Sequence, residues 1–289
     1  MASAGQTRPS LMKRLTWRPK RMLVLLETFA RISMFPRVKH PAKHGLPGEL
    51  ILSLTSYPAR YDILHYTLMS LLDQTVKPDR TILWIAQSQY DALPSRVLSM
   101  QEHGLEIRTC EDIRSYKKII PVLEQFPGRF VVTADDDLYY EWNWLKKIVT
   151  AFDPAKPAII SRRAHRPTRN AAGRMNPYTQ WDLQFIMSPG EAPRADLFPT
   201  GAGGILYFPG AFSPQVTDRE AIAELCPDAD DVWLYWMARM QGSLYRQVGG
   251  PFREIAWPRS QRTSLKTANF SGGRNDLQIQ AMEERYGLY

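Results

Sequence analysis

Cysteine is nearly missing from this chain: Cys110 and Cys226 are the two in 289 residues, far apart and in no metal-ligand spacing. Nothing supports a disulfide framework, and a reducing compartment is expected. Long apolar runs are missing too. The stretch Met22 to Leu26 is interrupted by Glu27 after five residues, against roughly 20 needed to span a bilayer. Neither a signal peptide nor a membrane-spanning helix is therefore expected. Acids are scarce in one region only. Residues 1–44 hold ten Lys or Arg against the single acid Glu27, a net of +9, whereas 45–289 hold 27 basic and 28 acidic residues. The overall charge of +8 thus belongs to the leader. A body this close to neutral lacks the basic face that nucleic-acid binding requires, so no nucleic-acid partner is expected. Internal repeats and low-complexity segments are absent. What remains is 44% hydrophobic and 23% charged, the composition of a soluble protein with a real core.

In the leader, Met22, Leu25, Leu26, Phe29 and Ile32 recur at helical spacing, with Lys20, Glu27 and Arg31 on the other face. A basic amphipathic helix of this kind suits an anionic membrane surface. The same stripe would equally pack against protein. Residues 1–44 are read as a basic amphipathic leader and 45–289 as one domain, divided into 45–140 and 141–289. The body alternates strand-like stretches (49–55, 81–86, 105–109, 130–134, 158–161) with helix-like ones (60–74, 93–102, 115–125, 142–152), which predicts a mixed, mostly parallel α/β sheet flanked by helices. Past residue 161 proline, glycine and arginine become frequent, and one further helix is expected over 230–240.

Asp135, Asp136 and Asp137 follow the β-branched run FVVTA at 130–134. Ligands of open α/β sheets bind outside the carboxyl ends of the strands. Three neighbouring carboxylates repel one another unless a cation or hydrogen-bond donors compensate them. Oxygen-only ligands suit Mg2+ or Mn2+, which share a substrate's phosphates. A solvated acidic turn is the alternative. Thr55, Tyr57 and Arg60 follow the first strand, where a nucleotide would lie; Tyr57 offers a stacking face and Arg60 a cation. A plain turn and helix start would also account for them. Lys117 and Lys118 are candidates to approach a diphosphate. Gly201, Gly203 and Gly204 permit close backbone approach beneath a donor sugar, or a tight turn. Trp233 is the indole chosen as a sugar platform, although most tryptophans serve packing. Arg262, Lys266 and Asn269 lie in a polar stretch that is read as a solvated tail, and His165 is expected at the surface.

The segment from Ser70 through Gln74-Thr75 to Pro78, followed by Ile82, Leu83, Trp84 and Ile85, resembles the helix–turn–strand signature of family 2 glycosyltransferases with the GT-A (Rossmann-like) fold. Asp135 and Asp137 match that family's Asp-x-Asp motif. Asp230 and Asp231, in DADDVWLYW, match its later acidic pair at the start of a helix. The three matches fall in family order over about residues 49–242. The wording around Ser53, Thr55, Ser56, Tyr57, Pro58 and Arg60, and around Pro199 to Gly204, is similar to a bacterial branch that assembles surface polysaccharide. One departure stands out: Gln87, Ser88 and Gln89 follow the second strand, where family members place an acid near the nucleotide base.

The resemblance implies a metal-dependent inverting transfer of sugar from a nucleotide-diphosphate donor, a UDP-sugar first among them, to a saccharide or lipid-linked hydroxyl. It implies Asp137 as the direct ligand of Mn2+ or Mg2+, Asp135 reaching the ribose or the metal through water, and Asp136 in support. Asp231 would be the base that takes the acceptor's proton, with Asp230 as its neighbour. The 45–140 half would then bind the nucleotide and the 141–289 half the acceptor, in the cytoplasm or on the inner face of the cell membrane. A helix N-terminus, where the dipole and capping both favour acids and Asp228 could also serve as a cap, would equally explain an acidic pair at this place. A sugar nucleotidyltransferase and a non-catalytic, membrane-associated module of a polysaccharide-assembly complex are the competing readings.

Overall fold

A computed structural model describes residues 11–258, 260 and 273–289, with side chains from Met22 onward. Arg262, Lys266 and Asn269 lie outside the described residues. Among the described residues, seven strands share one sheet: β1 (Leu50–Thr55), β2 (Arg80–Ala86), β3 (Leu105–Cys110), β4 (Phe130–Thr133), β5 (Ile159–Ser161), β6 (Ile205–Tyr207) and β7 (Tyr245–Gln247). Their spatial order is β7-β5-β6-β4-β1-β2-β3. Within this sheet β6 alone runs antiparallel, against β4 and β5. The mixed, mostly parallel α/β sheet expected from the sequence is thus the architecture, and both halves of the body contribute strands to it.

Helices cover both faces: α1 (Leu11–Ile32), α2 (Tyr61–Leu72), α3 (Ser95–Leu98), α4 (Ile120–Gln125), α5 (Trp144–Val149), α6 (Arg219–Leu225), α7 (Asp230–Met240) and α8 (Arg274–Tyr286). Side chains alternate across a strand. Leu50, Leu52 and Leu54 therefore face Leu64 and Leu68 of α2 and Leu145 of α5. Ile51 and Val131 face Ile120 of α4, Met237 of α7 and Met282 of α8. Burial on both faces is why the strands read as continuous apolar runs rather than as alternating ones.

Several expected elements differ in extent. The helix expected over 115–125 splits into a 3-10 turn at Arg114–Lys118 and α4, because Pro121 lies in the first turn of α4. Proline has no N–H to continue a preceding helix and its ring crowds the turn before it. The helix expected over 93–102 is four residues of α3 and a 3-10 turn, stopped at Gly104 with φ of 93°. Helices α6 and α8 had no clear periodic signal, yet α8 sends Ile279 and Met282 into the core.

The leader's stripe divides. Phe29 stands edge-on to Tyr66 at 5.3 Å and lies 5.6 Å from Trp257, and Ile32 is buried. Met22, Leu23 and Leu26 remain more than half exposed. Among the described residues, no helix is long and apolar enough to cross a membrane.

Candidate active site

Chain order reverses at β1, whose neighbours are β2 on one side and β4 on the other. Such a switch point opens a crevice at the carboxyl ends of the strands. The segment after β1 brings Ser56, Tyr57 and Arg60 to that crevice, and the segment after β4 brings the three aspartates. Because β6 runs antiparallel, with Ile205 beside both Thr133 and Ser161, the loop before it arrives at the same edge. That loop carries Gly201, Gly203 and Gly204. The first turn of α7 completes the ring with Asp230 and Asp231.

The aspartate backbone is clamped from three directions. Asp135 N–H donates to Tyr140 Oη at 2.8 Å, Thr67 Oγ1 donates to the Asp136 carbonyl at 2.8 Å, and Trp257 N–H donates to the Asp137 carbonyl at 3.0 Å. Each side chain then meets a different partner. Lys118 Nζ donates to Asp135 Oδ1 at 2.9 Å, Ser56 Oγ donates to Asp136 Oδ2 at 2.5 Å, and Arg60 Nη1 donates to Asp137 Oδ2 at 2.5 Å. Lys118 also lies 3.1 Å from Asp230 Oδ2. Its backbone is fixed by Ser53 of β1, whose hydroxyl donates to the Lys118 carbonyl at 2.6 Å.

Asp231 accepts from the Gly201 N–H with both carboxylate oxygens, at 3.1 Å each. A Cβ placed on Gly201 would meet Lys118 Nζ at 3.0 Å and Asp135 Oδ1 and Asp231 Oδ1 at 3.4 Å. This glycine therefore lets the Asp-x-Asp motif, the acidic pair and the lysine approach one another more closely than a side chain here would allow. The pair does not cap the helix, since the N-cap of α7 is Ala229 without a side-chain cap bond, but both acids lie in its first turn, where the helix dipole favours them. Asp228, the other capping candidate, pairs with Arg114 and Arg274.

Burial, with Asp230's charge beside it, pushes the Asp231 carboxyl up to about 7. Burial and the Asp137 charge raise Asp136 to about 7, against the opposing Ser56 hydrogen bond. Asp137 is raised by burial, with Arg60 pulling it back. Burial opposes the charge of Arg60 and Lys118, but the surrounding carboxylates outweigh it and hold both cationic. Opposite charge at contact distance favours ionised forms, and desolvation disfavours them.

Other sequence candidates lie elsewhere. Lys117 is buried against Asp112, at 2.5 Å, rather than against the aspartate trio. Thr55 donates its hydroxyl to the Trp84 carbonyl. Tyr57 stays at the crevice, its hydroxyl accepting from Arg60 Nε at 3.2 Å. Gly203 and Gly204 face packing partners. Trp144 Nε1 donates to the Gly203 carbonyl, and a Cβ on Gly204 would lie 2.3 Å from the Trp144 ring. Trp233 is 0% exposed and its indole N–H donates to the Val216 carbonyl, so its ring belongs to the core and not to the crevice. His165, expected at the surface, is buried, with Nδ1 accepting from the Gln184 N–H.

Sequence reasoning missed Ser56, Arg163 and Glu254. Arg163 packs against Gly203 and lies 3.5 Å from Glu254, whose charge reaches Asp137. Ser56 had a local signal, its position at the end of β1, but its contact with Asp136 spans 80 residues of chain. Glu254 had none.

Among the described residues, no three carboxylate, imidazole or thiol groups converge as a closed metal cage. Two carboxylates, those of Asp135 and Asp137, lie at the crevice, and as oxygen donors they are of the type that fits Mg2+ or Mn2+ when a substrate's phosphates complete the shell.

No family model and no curated protein matches the chain. Among solved structures it is similar to a mannosyltransferase from Pyrobaculum calidifontis in complex with GDP-Man and Mn2+, at 12% identity, over 92% of this chain and 74% of that one, with a TM-score of 0.48. It is also similar to the inositol-1-phosphate CTP transferase from T. maritima, at 11% identity, over 82% of this chain and 96% of that one, with a TM-score of 0.41. Likeness at this level assigns neither substrate nor residue role.

Proposed function

We propose that this chain is an inverting glycosyltransferase that moves a sugar from a nucleoside-diphosphate donor to a hydroxyl acceptor. The observation that carries the reading is the convergence at Gly201, where Lys118 Nζ, Asp135 Oδ1 and Asp231 Oδ1 all lie within 3.4 Å of the place a Cβ would take. To one side of Gly201, Lys118 and Asp135 suit a diphosphate with its ion, and to the other Asp231 suits a proton acceptor. Asp137 and Asp135 would hold Mn2+ or Mg2+. When bound, such an ion supplies Lewis-acid stabilisation of the charge that builds on the leaving diphosphate.

The chain's own residues do the rest. Tyr57 borders the place for the nucleoside, and Arg60 and Lys118 add positive charge beside the diphosphate. Asp231, oriented by the Gly201 N–H, takes the proton from the acceptor hydroxyl. That oxygen bonds to the anomeric carbon, the bond from this carbon to the diphosphate oxygen breaks, and the nucleoside diphosphate departs. A carboxyl near 7 is suited to a base working at neutral pH. A nucleotidyltransferase would use the same acids on β4 but has no need of a base at Asp231. The exposed apolar residues of α1 and the basic leader support an anionic membrane surface as a partner, with a lipid-linked saccharide as acceptor on its inner face.

The test is donor turnover. Purified chain with Mn2+ and a panel of nucleotide sugars should release a nucleoside diphosphate. Asp137→Ala should abolish metal-dependent donor binding. Asp231→Asn should keep that binding and lower turnover about 10²–10⁴-fold; wild-type turnover in this variant would falsify the base. Release of pyrophosphate from a sugar phosphate and a nucleoside triphosphate would instead identify a nucleotidyltransferase.

A further inference from the structure

Arg60 and Lys118 already hold the carboxylates that an ion would use. Arg60 Nη1 is 2.5 Å from Asp137 Oδ2, and Lys118 Nζ is 2.9 Å from Asp135 Oδ1. Both cations are buried, at 6% and 7% exposure. Charges so placed are not solvent-screened surface pairs. Removing one partner of a buried pair leaves the other desolvated and uncompensated.

An ion entering alone would have to displace the guanidinium and the ammonium, then sit beside them as a like charge. A diphosphate entering alone would meet two carboxylates. When both enter, the ion takes the two carboxylates and the phosphate oxygens take the two cations, so Asp135, Asp137, Arg60 and Lys118 each keep a partner. Arginine's planar fork matches phosphate oxygens, and lysine serves as a point charge. Arg60 also has an anchor that does not depend on Asp137: its Nε donates to Tyr57 Oη at 3.2 Å. Pivoting about that bond would move Nη1 between carboxylate and phosphate.

We propose that Arg60 and Lys118 are internal counter-ions that exchange with the divalent ion, holding Asp137 and Asp135 while the crevice is empty and turning onto the diphosphate when donor and ion bind together. This rests on the donor reading above. Its consequence is a coupling between ion and donor that exceeds their direct coordination, and such coupling is reciprocal. Arg60 is thereby a positioning residue that suppresses binding of the bare ion.

Mn2+ binding to the full chain, followed by the paramagnetic resonance of the free ion, tests this with and without UDP and GDP. The wild-type chain should bind Mn2+ alone weakly. Arg60→Gln should bind Mn2+ alone at least about tenfold more tightly, and in the presence of Mn2+ it should bind the nucleotide more weakly than wild type does. Circular dichroism establishes that the variant is folded; if it is not, Arg60→Lys, which keeps the charge and loses the fork, should show the same two changes at smaller size. Wild-type chain that binds Mn2+ as tightly alone as with nucleotide would overturn the exchange. So would a folded Arg60 variant whose affinity for the bare ion is unchanged or lower. If wild type binds neither nucleotide in the presence of Mn2+, the donor reading and the exchange fall together. Nucleotide binding without the Arg60 effect overturns the exchange alone.

Discussion

Asp231 joins two physical demands in one residue. It needs enough solvent-poor surroundings to hold a proton near neutrality, and a donor that aims it. Burial and Asp230 meet the first, and the Gly201 N–H meets the second. With a carboxyl near 7, the ionised, proton-accepting form grows as pH rises through that value. The kcat/KM of the wild type should therefore climb with pH below about 7 and level off above it, and Asp231→Asn should lose that limb. Stability linked to the same proton has the opposite sign. It is fully present below the ordinary carboxyl value of about 4 and is lost as pH rises through about 7, because the native state there binds a proton that the unfolded state does not. Melting curves from pH 4 to 7 should fall less steeply for Asp231→Asn than for wild type. Asp135, Asp137 and Asp231 were legible as residues from the chain alone. Their partners were not, since Lys118, Arg60 and Ser56 meet them only across separate strands. Trp233 marks the same limit from the other side: its position two residues past Asp231 suggested the crevice, but a helical step of about 100° per residue turns it into the core.

Among the elements, α1 has the clearest divided role. Helical spacing identified its apolar residues, but could not say which would dock. Phe29 and Ile32 pack on the body, while Met22, Leu23 and Leu26 face outward beside a strongly basic segment. Exposed apolar side chains next to clustered cations suit the interface of an anionic bilayer. Changing Met22 and Leu26 to serine should weaken co-sedimentation with vesicles rich in anionic lipid and leave the melting temperature within a degree or so of wild type. Phe29→Ala should instead lower the melting temperature, since it strips the ring from Tyr66 and Trp257. Equal vesicle binding by the serine variant and the wild type would refute the membrane role. Proline decided another element: α4 is shorter than the apolar pattern around it because Pro121 sets its start.

For the molecule as a whole, the sheet order matters most, because it determines which loops meet. A ligand that binds this folded crevice, and not the unfolded chain, must stabilise the fold by mass action, by about 2.7 kcal/mol at one hundred times its Kd, and so raise the melting temperature. A nucleoside diphosphate with Mn2+ should thus shift the transition by several degrees. Asp137→Ala should cancel the part of that shift that depends on the metal. No shift with any of the common nucleoside diphosphates would count against the donor reading.

The chain by itself determined the strand–helix alternation, because apolar periodicity is a local consequence of burying one or both faces of an element. It also determined that acids end β4 and open α7. Tertiary structure alone decided that β6 enters antiparallel between β4 and β5, which carries Gly201 to Asp135 and Asp231. That insertion depends on pairing of β6 with β5 and with β4, the latter more than seventy residues away in sequence, and no local pattern encodes a register of that range. For the same reason the counter-ions of the acids could be read from the chain as charges, but only the packed sheet made them partners.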